Sequence, residues 1–218
     1  MRKLIFVPTI HSTGTWFCLE LLKSHKSVTN FITEKTFVEK KFFNLDGTII
    51  FHHHFDNTQR DLSDFMNHSD KIVVTVRDPL LSLLTANARK QGGETLYHII
   101  DGFLTLIDWA SKYDIFLLPV DLYYHKSVME RYFLLRNLFD FVEFDYEPYI
   151  SWWAHEWPIF NTVGPDIGRS YKNLYHSRNI AGVSELVPEY YKTLVKHESI
   201  LRPFLESLGY RGLLWWTS

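Results

Sequence analysis

Ser12-Thr13-Gly14-Thr15-Trp16 follows an apolar run, Leu4 to Val7, and opens at once onto a helical pattern. A buried strand feeding a small-residue loop and then a helix N-terminus makes an anion cradle. Free peptide N–H groups and the positive end of the helix dipole face whatever sits in the loop. A second group lies at Arg77-Asp78-Pro79, directly after the β-branched run Lys71 to Val76, with Thr85 eight residues beyond Arg77. An Arg at a strand's carboxyl end presents a planar fork that suits a phosphate. Pro79 suits a first helical turn, where its missing N–H is no loss. Thr85 then falls about two turns along that helix. A third group is His52-His53-His54, whose alternation puts His52 and His54 on one face of a strand end and His53 on the other. Imidazoles there are suited to general-base chemistry near neutral pH.

The first loop is not a Walker A sequence. That motif needs Gly-Lys-[Ser/Thr] with another Gly five residues before its second Gly. Here Thr15 follows Gly14, and Thr9 stands at the earlier position. Together with the lack of a clear Walker B-type aspartate at a strand end, this argues against a nucleotide or small-molecule kinase. A non-catalytic nucleotide-binding protein is the other rival reading.

The elements that position these groups can be read along the chain. Strands are expected at residues 3–8, 28–32, 48–54, 71–76 and 114–120. Helices are expected at 14–24, 58–67, 79–90, 94–112, 127–137 and 185–210. Residues 34–47 read as a loop closed by Asp46-Gly47. Alternating strands and helices predict an α/β fold, a parallel sheet with helices on both faces in three layers. Ligands then bind at the carboxyl ends of the strands. A single domain spanning 1–218 is expected.

Composition supports a packed core. The chain is 46% hydrophobic and 17% aromatic, too apolar for disorder. A net charge of −2 gives no reason to expect nucleic acid or an anionic membrane as partner. The single cysteine, Cys18, excludes an internal disulfide and fits a reducing, cytoplasmic compartment. No run approaches an integral membrane segment, and the short apolar run Leu4 to Val7, ending at Pro8, is not expected to act as a signal peptide. Trp152-Trp153-Ala154-His155-Glu156-Trp157 reads as core or lid packing, or else as a stacking platform for an acceptor. Oligomeric state is not legible.

The motifs together resemble those of sulfotransferases. Ser12 to Trp16 is similar to the 5′-phosphosulfate loop of that family, and Arg77-Asp78-Pro79 with Thr85 to its 3′-phosphate segment. Phe116 to Leu122 looks like its strand exit. Gly168-Arg-Ser-Tyr-Lys-Asn-Leu-Tyr175 resembles a late nucleotide-holding segment, which implicates Tyr171, Lys172 and Asn173. The resemblance implies a P-loop-like fold and an enzyme, a transferase moving a sulfuryl group. The donor is 3′-phosphoadenosine-5′-phosphosulfate (PAPS), with PAP as product and no metal. The acceptor is a small molecule or carbohydrate bearing a hydroxyl or amine. Soluble members place a catalytic His at the position of His54, and heparan-type members place a Glu in the register of Glu20. Both remain open. The family's loop Lys is Ser12 here, and either His11 or His52 is left to supply the positive charge.

Overall fold

The computed structural model describes residues 2–11, 13–33, 45–55, 62–88, 93–145, 188–214 and 216. Within them the side chains of residues 16, 84, 85, 87, 88, 93–97, 124 and 125 lie outside the description. The elements run β1 (Lys3–Thr9), α1 (Thr15–Lys23), β2 (Val28–Thr33), β3 (Thr48–His54), α2 (Ser63–His68), β4 (Lys71–Val76) and α3 (Pro79–Ala88). They continue with α4 (Gly93–Ala110), β5 (Ile115–Pro119), α5 (Val120–His125), α6 (Val128–Phe141), α7 (Pro188–Lys196) and α8 (Glu198–Leu205). A π-helical turn, Glu206–Tyr210, extends α8.

The five strands form one sheet in the order β2-β3-β1-β4-β5. Every neighbouring pair is parallel. Parallel strands buried on both faces need apolar residues at successive positions, and Leu4-Ile5-Phe6-Val7 supplies them. Alternation then divides them. Leu4, Phe6, Ile49, Phe51, Ile72 and Val74 join one core with residues of α2, α3, α4, α7 and α8. Ile5, Val7, Ile50 and Val73 join a second core with α1 and α6. The expected three-layer α/β architecture is what the chain adopts. Among the described residues no helix is long and apolar enough to cross a membrane.

Several boundaries differ from the sequence reading. The helix expected over 185–210 is, where described, α7, α8 and the π turn, with His197 between the first two. Pro203 lies inside α8 and has no N–H to bond back along the helix, and the turn after it widens into π geometry. β5 stops at Pro119, and Val120-Asp121 begin α5 instead of prolonging the strand. α6 continues to Phe141, past the expected end, because Leu138 and Phe139 are buried in the core beneath it. α2 runs from Ser63, and α4 begins at Gly93, one residue before the expected start.

At the amino ends of the strands Glu143 joins Lys3 and Lys71 at 2.9 and 3.0 Å, tying the end of α6 to β1 and β4. The opposite, carboxyl ends carry the groups of interest.

Candidate functional site

Gly14 ends the loop after β1 and caps α1 in the left-handed conformation, φ +88°. A Cβ there would lie 2.6 Å from Cγ1 of Val120, at the start of α5, so glycine is required by both backbone and packing. Glycine offers no capping side chain, and α1 has no acidic residue in its first turn. The amino end of α1 therefore keeps its positive character. The Thr13 hydroxyl is turned inward, donating to the Ile10 carbonyl at 2.8 Å and lying 2.9 Å from the Thr75 hydroxyl. What Thr13 can offer a ligand is its backbone. Ser12 lies outside the described residues, as does the side chain of Trp16.

The β1–β3 register sets Val7 beside His52 and Thr9 beside His54. His52 Nε2 is 3.0 Å from the Thr9 hydroxyl. The His11 ring stacks on His54, with centroids 4.2 Å apart and planes 22° apart. His52 meets His54 edge-on at 4.8 Å. Three imidazoles thus gather where the loop leaves β1. His53 points to the other face, where its ring meets Phe51. Among the described residues no three His, Cys, Asp or Glu side chains converge as metal ligands.

Glu20 is placed elsewhere. It lies on α1 about 9 Å along the axis from Gly14, at 1.5 Å per residue. Its carboxylate pairs with Lys23 at 2.5 Å, and its side chain is 35% exposed.

Arg77 and Asp78 follow β4, next to β1 in the sheet, and both are buried. Asp78 Oδ1 accepts from the Leu80 N–H at 2.8 Å, which starts α3, and from the Trp216 indole N–H at 3.0 Å. Burial first, then the nearby Asp121 carboxylate, push the Asp78 carboxyl up to about 7. Asp121, also buried, accepts from the Asp78 N–H at 3.0 Å, the Leu122 N–H at 3.0 Å and the Tyr210 hydroxyl. The sequence reading found no clear aspartate of Walker B type at a strand end. The structure places two at such ends, both turned onto protein donors. Their partners Tyr210 and Trp216 are remote in sequence, so no local motif exposes them. Thr85 is in α3, with its side chain outside the description. Tyr171, Lys172, Asn173 and the 152–157 aromatic cluster lie outside the described residues.

No protein-family model matches the chain, and no curated protein matches it in sequence. Among solved structures it is similar to mouse sulfotransferase SULT7A1 complexed with PAP. The match has a TM-score of 0.51 and 11% identity, over 70% of this chain and 64% of that one. At that identity the likeness is one of fold. It joins this chain to the α/β, P-loop-like architecture on which that sulfotransferase is built.

Proposed function

We propose that this chain is a sulfotransferase that uses PAPS and releases PAP. The observation that carries the reading is the gathering of three unlike groups at the ends of adjacent strands. They are the Gly14 cradle after β1, Arg77 after β4, and the His54–His11 stack after β3. The likeness to the PAP-bound mouse enzyme supports the same reading at the level of fold.

The residues present fit such a donor. A glycine whose Cβ position is already taken by Val120 keeps the loop tight against the start of α5, and no side chain caps the amino end of α1. The backbone of Ser12, Thr13, Gly14, Thr15 and Trp16 would hold the 5′-phosphosulfate side. Arg77 and Thr85 would hold the 3′-phosphate, and Tyr171, Lys172 and Asn173 would hold the nucleotide further out. When bound, the donor supplies an activated sulfuryl group. His54 would take the proton of an acceptor hydroxyl or amine as that atom attacks. Its stacking on His11 and edge contact with His52 fix the ring's orientation. His11, or His52 held by Thr9, would supply the positive charge that the loop lacks at Ser12. Glu20 is the rival base, and its pairing with Lys23 favours His54.

A thermal-shift comparison of nucleotides tests the reading. A ligand present at a hundredfold excess over its Kd stabilises the native state by about 2.7 kcal/mol. Adenosine 3′,5′-diphosphate should raise Tm, while ADP and ATP should not. No rise, or an equal rise with all three, overturns the proposal.

A further inference from the structure

The buried pair Asp78 and Asp121 is not used in any role above, and it is unusual in its construction. The two carboxylates come from the ends of neighbouring strands β4 and β5. A third part of the chain, far away in sequence, closes over them. Tyr210 reaches Asp121 and Trp216 reaches Asp78, while the Tyr190 hydroxyl on α7 donates to the Pro79 carbonyl at 3.1 Å. The π turn and Gly209, at φ +102°, bring Tyr210 into this position. Such π turns are often found at functional sites.

We infer that Asp78 and Asp121 are a positioning pair for Arg77, setting both the direction in which it leaves β4 and the charge an anion meets there. The inference rests on the reading of Arg77 as an anion-binding residue. Direction follows from the Asp121 carboxylate, which accepts the N–H of Asp78 and so fixes the peptide joining Asp78 to Arg77. It follows also from Asp78 Oδ1, which accepts the Leu80 N–H and pins the turn into α3. Charge follows from simple addition. Arg77 with two ionised carboxylates leaves the strand end negative, and Arg77 with one leaves it neutral. An incoming phosphate favours the second state, so its binding takes up a proton on Asp78.

The groups acting on Asp78 come from every side. Arg77 precedes it and lowers its pKa, while Asp121 across the strand end raises it. The Trp216 indole donates to it. Tyr190 faces it from α7 and is itself held neutral, its own pKa raised by burial and by Asp78. Asp78 therefore passes from neutral to charged near neutral pH. Anion affinity should fall as pH rises through that range, by up to about tenfold per unit for one linked proton.

The test uses the full chain and three variants, Asp78→Asn, Asp121→Asn and Tyr210→Phe, each checked for folding by circular dichroism. Binding of adenosine 3′,5′-diphosphate is titrated calorimetrically from pH 6 to 8.5. Wild type should weaken with pH and take up a proton, seen as a buffer-dependent heat. Asp78→Asn keeps an acceptor for Leu80 and Trp216 and should bind with no such loss. It retains the ligand's own phosphate titration near pH 6 and any contribution from the loop imidazoles His11 and His52, both common to wild type, so the difference in slope between the two proteins is the readout. Tyr210→Phe should weaken binding at every pH, whereas Asp121→Asn removes the charge that helps raise Asp78 and should move the fall in affinity to lower pH. An unchanged slope in Asp78→Asn overturns the inference. Amide exchange, corrected for its intrinsic pH dependence, gives a ligand-free arm. Protection of the Asp78 and Leu80 amides should fall between pH 6 and 8 in wild type and hold steady in Asp78→Asn. If wild type binds no nucleotide, the nucleotide reading fails and exchange alone decides: altered protection keeps the pair as a strand-end lock, and unaltered protection removes it.

Discussion

In the proposed sulfotransferase reading His54 and Glu20 are the rival candidates for the base, and their surroundings differ. His54 lies against two other imidazoles at the mouth of the loop, whereas Glu20 is paired with Lys23 well along α1. Loss of a general base costs about 10²- to 10⁴-fold in rate. His54→Ala should show that loss in sulfuryl transfer while leaving nucleotide affinity nearly intact, and Glu20→Gln should change little. Steady-state rates and nucleotide titrations on both variants decide it, and the reverse pattern reassigns the base to Glu20. Arg77 gives a second prediction at this scale. A hydrogen bond to a charged group is worth about 1.5–3 kcal/mol. Arg77→Ala should weaken adenosine 3′,5′-diphosphate by about 2 kcal/mol or more. A nucleotide without the 3′-phosphate should bind as before. Thr85→Val should follow the same pattern with a smaller loss. Equal weakening of both nucleotides would mean that Arg77 does not read the 3′-phosphate.

At the scale of elements, the loop–helix junction depends on one residue. Gly14→Ala would hold a side chain at φ +88° and press its Cβ against Val120. A non-glycine residue in the left-handed region costs about 1–3 kcal/mol, before any clash. Urea denaturation should show a loss of at least that size. Val120→Ala in the same chain should recover the part due to the clash and leave the backbone part. Full recovery would show that the backbone conformation relaxes. The same junction shows what was legible in sequence. Lys71–Val76 and Thr48–His54 were read with the bounds they have, because a β-branched run and an apolar stretch ending in polar residues are local signals. The places of Arg77 just past β4 and of the histidines at the end of β3 are legible for the same reason. What was missed depends on contact between distant segments. The stacking of His11 on His54 needs the register of β1 on β3. The Asp78–Asp121 pair needs β4 beside β5, and its closure by Tyr210 and Trp216 needs the carboxyl-terminal helices folded back over both. The break at His197 was hidden because the apolar spacing of α7 runs on into α8, burying Tyr190, Leu194, Leu201 and Leu205 in one core.

At the scale of the whole molecule, the two ends of the sheet respond to pH in opposite senses. At the amino end, hydrogen bonds from Lys3 and Lys71 lower the Glu143 carboxyl to about 2. A depressed carboxyl contributes stability that is present above its unfolded value, near 4.5, and lost as pH falls toward 2. At the carboxyl end the sign is reversed. Asp78 is raised to about 7 from an ordinary 3.8, so between those values the folded chain binds a proton that the unfolded chain has released. Stability linked to that proton is fully present below the lower value, declines as pH rises through the window, and levels off above about 7. With Asp78 buried, the decline should amount to a few kcal/mol at most, tempered by the Arg77 charge beside it. The maximum of stability should therefore lie on the acid side of neutrality. Asp78→Asn keeps the acceptor for Leu80 and Trp216 and carries no charge, so its Tm should stay level from about pH 5 to 8, where that of wild type falls. Thermal unfolding of both proteins across that range in matched ionic strength is the measurement. A wild-type Tm that is flat, or a decline of equal size in Asp78→Asn, would show that the strand-end carboxyl does not hold its proton in the folded chain.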